Sequence, residues 1–345
     1  MKKVFLLAAL LAATLCATAQ QNQVVWHNGK VMYASPIPTV DSITFAAEIE
    51  SSDTLHLILP RTIIVHDTVI KEVIVEVHDT IYKCPEPADP NAPLAGVFSV
   101  SADKQVKFSR GNLQYTQSTN TWAFAANQYE MLGTANVENS ALADKIDLFG
   151  WSGSTATAKW GISTSMDNND YSGDFVDWGL HIGDGTTPDG SGQGWRTLTN
   201  DEWNYLRSTR ANAADLMGVA RINLDAEGTT YANGLILLPD AWTCPEGITF
   251  KSGFASTNSE QAYADYQTFT LEQWEKLEAA GAVFLPASGD RYGSSIYDVQ
   301  TYGNYKSATP YESDNANYLF FYSLGAVWGN FNRYLGQAVR LVQDL

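Results

Sequence analysis

The chain has 345 residues, 38 acidic against 21 basic, giving a formal net charge of −17 with 45% hydrophobic and 12% aromatic residues. Such a field repels phosphate backbones and anionic lipid, which excludes nucleic acid and membrane surfaces as electrostatic partners. Three cysteines exclude a disulfide-dense scaffold.

Met1-Lys2-Lys3 followed by an apolar run from Val4 to Leu15 is a charged start and a hydrophobic segment too short to span a bilayer permanently. With Ala17-Thr18-Ala19 at the cleavage positions, residues 1–19 read as a secretory signal peptide and Gln20 as the mature start. Leu15 before Cys16 is bulkier than lipoprotein processing wants, so soluble cleavage is preferred over a lipid anchor. Losing Lys2 and Lys3 leaves 19 basic against 38 acidic residues. Cys84 and Cys244 then remain and allow one disulfide. No later stretch has the length and apolarity of a transmembrane helix. The expectation is an exported protein, secreted, periplasmic or associated with the outer surface.

Residues 20–60 predict a small β segment: Val24-Val25-Trp26-His27 and Lys30-Val31-Met32-Tyr33 flank an Asn28-Gly29 hairpin turn, and Ser42-Ile43-Thr44-Phe45 supplies a third short strand. Val40-Asp41 together with that strand resembles an N-terminal segment of many exported bacterial surface proteins. Residues 61–83, dense in Val, Ile and Thr, predict an extended stalk through which copies could associate. Ile63, Ile70 and Val77 leave a coiled coil as the lesser reading. His66-Asp67 and His78-Asp79 read as polar strand faces in preference to metal ligands. Prolines 85, 87, 90 and 93 mark residues 84–93 as a linker.

Residues 94–345 carry nine of the ten tryptophans and predict one α+β domain. Two helices announce themselves. Thr199 caps with Glu202 closing a capping box and Leu198 stapling Trp203; Thr270 caps with Gln273, Phe269 staples Trp274, and Gly281 stops the helix. Both tryptophans are expected in one core. Strands are expected at 97–100 and 105–108 as a pair, at 111–115, at 234–238 and 282–285 before prolines, at 318–322, and last at 337–342.

Trp195-Arg196-Thr197-Leu198-Thr199 with Glu202-Trp203, then Leu285-Pro286-Ala287-Ser288-Gly289 with Arg291, then Gly336-Gln337-Ala338-Val339-Arg340-Leu341-Val342 resemble, in order, the major paralogous domain of exported bacterial proteins. That domain is similar to the sulfatase-modifying-factor branch of the C-type-lectin-like fold. The resemblance implies a small twisted sheet, two helices, long loops, and pairing of the first and last strands. It departs at Tyr305-Lys306-Ser307, where the family usually has an aromatic-Trp-Ser step. Oxygen-using relatives need a cysteine pair and sulfoxide synthases a histidine cluster, whereas this domain has only Cys244 and His181. Neither chemistry can be assembled, and no nucleophile elbow, phosphate loop or His-Glu-x-x-His helix occurs.

Two stretches remain as candidate sites. Asp167, Asn169, Asp170 and Asp174 lie within an Asx-rich loop offering hard oxygen ligands, so calcium is the one metal left open; the spacing is not an EF-hand, and self-capping turns are the preferred reading. Residues 290–334 hold Arg291, Tyr305, Asn317, Trp328, Asn330, Asn332 and Arg333 among further tyrosines. Aromatic, amide and guanidinium groups suit recognition of hydroxyls and carbonyls, and in C-type-lectin-like folds the late loops commonly carry the ligand. For Trp328 and Arg333, binding and packing are weighed evenly, and Arg340 reads as a structural partner. Asp290 with Glu312 could form a glycosidase pair. The expected function is non-enzymatic recognition or adhesion, binding glycan or a surface or matrix protein and needing no cofactor. The alternatives are a hydrolase or degenerate modifying enzyme, and a structural subunit of a surface assembly.

Overall fold

The computed structural model describes residues 91–182 and 194–345 in full, together with the backbone of four short strands earlier in the chain. The chain divides into two compact units, Met1–Ala88 and Asp89–Leu345. In the first unit, β1 (Trp26–His27) pairs antiparallel with β2 (Lys30–Val31), His27 opposite Lys30. β3 (Ile63–Val65) pairs antiparallel with β4 (Thr68–Ile70), Ile63 opposite Ile70. These two strands lie within the β-branched segment 61–83, where extended backbone satisfies its polar groups by pairing. The leader 1–19, the strand at 42–45, His66, His78, and Cys84 with the linker up to Pro90 lie outside the described residues.

The second unit opens with β5 (Phe98–Ser99), β6 (Gln105–Phe108), β7 (Leu113–Thr116), β8 (Thr121–Phe124), β9 (Val137–Glu138), β10 (Ala141–Leu142) and β11 (Lys145–Ile146). Loops and short 3-10 turns lead to β12 (Arg196–Thr197), helix α1 (Asn200–Asn204) with a π turn after it, and the long hairpin β13 (Met217–Asn223) and β14 (Tyr231–Leu237). Then come α2 (Glu260–Tyr266), β15 (Thr268–Thr270), α3 (Leu271–Ala279), β16 (Val283–Pro286), β17 (Asp290–Tyr292) and β18 (Ser295–Tyr297). The chain closes with β19 (Tyr302–Tyr311), β20 (Asn315–Tyr322), β21 (Gly325–Asn332) and β22 (Leu341–Asp344). The architecture is several small sheets, antiparallel except where β15 joins β13 in parallel, with few helices.

The sheet β15-β13-β14-β16 is buried on both faces. Val219, Leu235 and Leu285 point into one hydrophobic cluster with Trp203 and Leu206; Ala220, Ile236 and Phe284 point into another with Trp274 and Leu277. The period-two alternation of strands sends neighbours to opposite sides. The two tryptophan helices thus anchor opposite faces of one sheet, correcting the expectation of a single shared core.

Both helix starts have the predicted capping boxes. Glu202 does more than close its box: it accepts two hydrogen bonds from Arg196 at 2.7 and 2.8 Å, and Arg196 also pairs with Asp344 at 2.6 Å. The helix start is thereby tied to β22, which lies between β12 and β6. The first hairpin and the last strand pair through β6, Val342 opposite Phe108. Gly281, at φ +97°, follows the last turn of α3, where Gly96 packs against it too closely for any side chain. Among the described residues no helix is long and apolar enough to cross a membrane.

Candidate functional site

Residues expected as late loops are mostly strand. β19, β20 and β21 form a three-stranded antiparallel meander, and β17 pairs with β18 as a hairpin beside it. Alternation splits the meander into two faces. Tyr305, Leu319, Phe321 and Ala326 enter the core beside Trp203. The other face carries Tyr302, Lys306, Tyr318, Phe320, Tyr322, Val327 and Phe331. The strand expected at 318–322 therefore faces the core only at Leu319 and Phe321. Tyr318, Phe320 and Tyr322 stand half-buried on the outer face, with Phe320 stacked on Tyr322 at 5.3 Å and edge-on to Tyr302 at 5.3 Å.

The structure divides the seven predicted ligand residues. Arg291 is fully buried, its guanidinium donating to the carbonyls of Gly293 and Leu148. Tyr305 is fully buried, with its hydroxyl donating to the Pro286 carbonyl at 2.9 Å. Arg333 is also buried and braces three carbonyls, those of Asn315, Gly173 and Glu312. Asn317 is buried and donates to the carbonyls of Thr309 and Pro310 across the irregularity in β19. These four hold the fold, because their polar groups are consumed by backbone acceptors that would otherwise be buried unpaired. Trp328, Asn330 and Asn332 do reach the surface, all on β21, with Trp328 51% exposed.

The Asx-rich loop caps its own turns. Asp167 caps a 3-10 turn by accepting from the Asn169 backbone and side-chain N–H groups, and Asp170 accepts from Ser165 Oγ at 2.6 Å. The backbone N–H of Asp174 is bound by Ser154 Oγ. Among the described residues no three His, Cys, Asp or Glu side chains come together as a metal-holding group. Asp167, Asn169 and Asp170 thus find side-chain partners within the loop, as self-capping Asx-rich turns do. His181 ends another 3-10 turn, stacked on Trp122 at 4.3 Å and edge-on to Trp160 at 4.0 Å. Burial, then nearby Lys159, lowers its pKa. Among the described residues Cys244 has no disulfide partner.

The chemistry that sequence reasoning missed lies under the outer face. Lys306 stands directly opposite Tyr318, and its side chain is buried, donating to the Leu335 carbonyl at 2.9 Å. Burial, reinforced by Arg291, pulls Lys306 down to about 7. Burial and then the neighbouring Asp298 carboxylate push Asp290 up to about 6, with Lys306 pulling the other way. Tyr318 is raised by burial and by Asp290. Burial thus shifts an amine down and a carboxyl up beside Tyr318, and such opposed shifts recur at ligand and acid–base sites. Glu312 lies exposed in the β19–β20 turn, so the carboxyl felt by Asp290 is Asp298, not Glu312. The available signal was a lysine between aromatic and polar residues in mid-strand, at Tyr305-Lys306-Ser307.

The hairpin β17–β18 frames this cluster with exposed Tyr292 and Tyr297. Tyr334 donates to Tyr292 Oη at 3.0 Å and is itself held by Asn332 Nδ2. Such a surface can stack on apolar ring faces and hydrogen-bond to hydroxyl or carbonyl groups. The chain matches no protein-family model, no curated protein and no solved structure.

Proposed function

We propose that the protein is an exported, non-enzymatic recognition protein whose C-terminal unit, a C-type-lectin-like head, binds glycan or a surface or matrix protein through the outer face of β19–β21 and the adjoining β17–β18 hairpin. The supporting observation is a concentration of exposed apolar groups. Among the described residues, four of the nine exposed large hydrophobic side chains, namely Tyr292, Tyr297, Val327 and Phe331, lie on this face or its hairpin, with half-buried Tyr318, Phe320 and Tyr322 on the same face. Soluble proteins scatter such groups singly, and a cluster marks an interaction surface. Glycan is the favoured ligand class: tyrosine rings supply flat apolar area beside the polar Asp290. The net charge of −17 disfavours a strongly acidic ligand.

The test is an array of glycans and matrix proteins probed with the full chain, with calcium or with chelator. Saturable binding that is lost in Tyr297→Ala and Tyr318→Ala but kept in Arg333→Lys supports the reading. No saturable binding under either condition overturns it. A second reading, a glycoside hydrolase, is favoured by one observation only, the raised carboxyl of Asp290 beside Asp298. Release of reducing sugar that vanishes in Asp290→Asn would move the assignment there.

A further inference from the structure

We infer that β21 is a self-pairing edge through which two copies of this chain join their late sheets antiparallel into one continuous sheet. Among the described residues β21 ends its sheet, with no strand on its far side. It is eight residues long, Gly325–Asn332, without charge, proline or bulge. Edges that must stay single are normally shielded by those features.

The hydrogen-bonding parity is fixed by the turn. Tyr322 and Gly325 close a two-residue connection, so they are a bonded pair, and bonded positions then recur at Val327, Gly329 and Phe331. Two contacts agree: the Arg333 N–H, next in that series, donates to the Asp314 carbonyl of the partner strand side, while the Ala326 carbonyl faces away and is taken by Arg207 Nη1 at 3.2 Å. The backbone groups of Trp328, Asn330 and Asn332 therefore point to the open edge.

A two-fold axis through Gly329 makes this edge complementary to itself. Trp328 then lies opposite Asn330 of the second copy, where each exchanges backbone N–H and carbonyl with the other. On the outer face Val327 lies opposite Phe331 of the second copy, a β-branched residue against an aromatic. Val327, Trp328 and Phe331 are 43%, 51% and 46% exposed in the single chain and would be covered.

Charge fits the same register. Arg207 is half-buried, hydrogen-bonds only to Ala326 and Asn204, and has no carboxylate at ion-pair distance among the described residues. In this pairing Ala326 lies opposite Asn332 of the second copy, which brings Arg207 towards the exposed turn holding Glu312 and Asp314 there. A foreign peptide would need to supply all three matches by coincidence. The arrangement would also set two outer faces side by side, so that a repeating ligand gains avidity.

Sedimentation velocity on the full chain over a concentration series tests this. A dimer is expected. Asn330→Pro removes a backbone donor at the open edge and none inside the sheet, so it should weaken dimerisation at least about tenfold, equivalent to about 1.4 kcal/mol, with an unchanged melting curve. Trp328→Lys should do the same at an exposed position, and adding Asn330→Glu, which sets an acid opposite the new lysine only in this register, should restore the dimer. A wild-type chain that stays monomeric at its highest soluble concentration overturns the inference. So does a dimer that survives both single substitutions, which would place self-association elsewhere in the chain.

Discussion

Leu319 and Trp328 face each other directly across β20 and β21 and point to the same side of the sheet, yet Leu319 is 3% exposed and Trp328 51%. One strand of displacement carries the side chain from beneath Trp203 and Tyr305 to beyond the edge of the core. Leu319→Ala should therefore cost about 2–5 kcal/mol through the cavity it leaves. Trp328→Ala should change stability by no more than about 0.5 kcal/mol. Urea unfolding of the two variants measures both, and a large loss at Trp328 would mean that its ring packs into the core after all.

Arg333 behaves in the opposite sense. Its guanidinium holds the carbonyls of Gly173, Glu312 and Asn315 together and lies 5.4 Å from the Trp151 ring. Arg333→Ala should destabilise the protein by about 2–3 kcal/mol, because carbonyls brought together for a cation are left unpaired. Faster proteolysis near residues 167–174 should accompany the loss. A variant of native stability with lost ligand binding would instead make Arg333 a contact residue.

The two capping boxes offer a controlled comparison. Thr270→Ala should cost about 1 kcal/mol, the usual value for a lost cap. Thr199→Ala should cost more, since the Glu202 carboxylate that completes its box also anchors Arg196, which in turn holds Asp344 of the last strand. Chemical denaturation gives the difference directly. Equal losses would show that the ion-pair network keeps its geometry without the cap.

Asp147 fixes a pH dependence. It is fully buried and accepts from the Leu132 N–H and from Asn136 Nδ2. Burial opposes its charged form more strongly than those bonds favour it, raising it from 3.8 to about 6. A raised carboxyl contributes stability that is complete below about pH 4 and is lost as pH rises through about 6, here about 3 kcal/mol. Asp290, also raised to about 6, acts in the same window and the same direction. Asp147→Asn should flatten the stability profile between pH 4 and 6. A profile that still falls as steeply in this variant would locate the titration in another group.

What the sequence determined by itself are the local events. Thr199, Glu202, Thr270 and Gln273 specify two helix starts because a cap and its box lie within one turn. Gly281 specifies the end of α3, and apolar runs closed by Pro239 and Pro286 specify the buried strands, since those signals act between near neighbours in the chain. Only the tertiary structure decided which of the aromatic and basic residues after 290 face outward. Arg291, Tyr305 and Arg333 look like recognition groups in a list of residues but are consumed by carbonyls of Leu148, Pro286 and Gly173, far from them in sequence. Lys306 looks ordinary in the chain, and its pKa falls to about 7 only when burial in a dry interior, reinforced by Arg291, outweighs the opposing pull of Asp290. Exposure and pKa are properties of what surrounds a side chain, and for these residues the surroundings come from strands the local sequence does not contain.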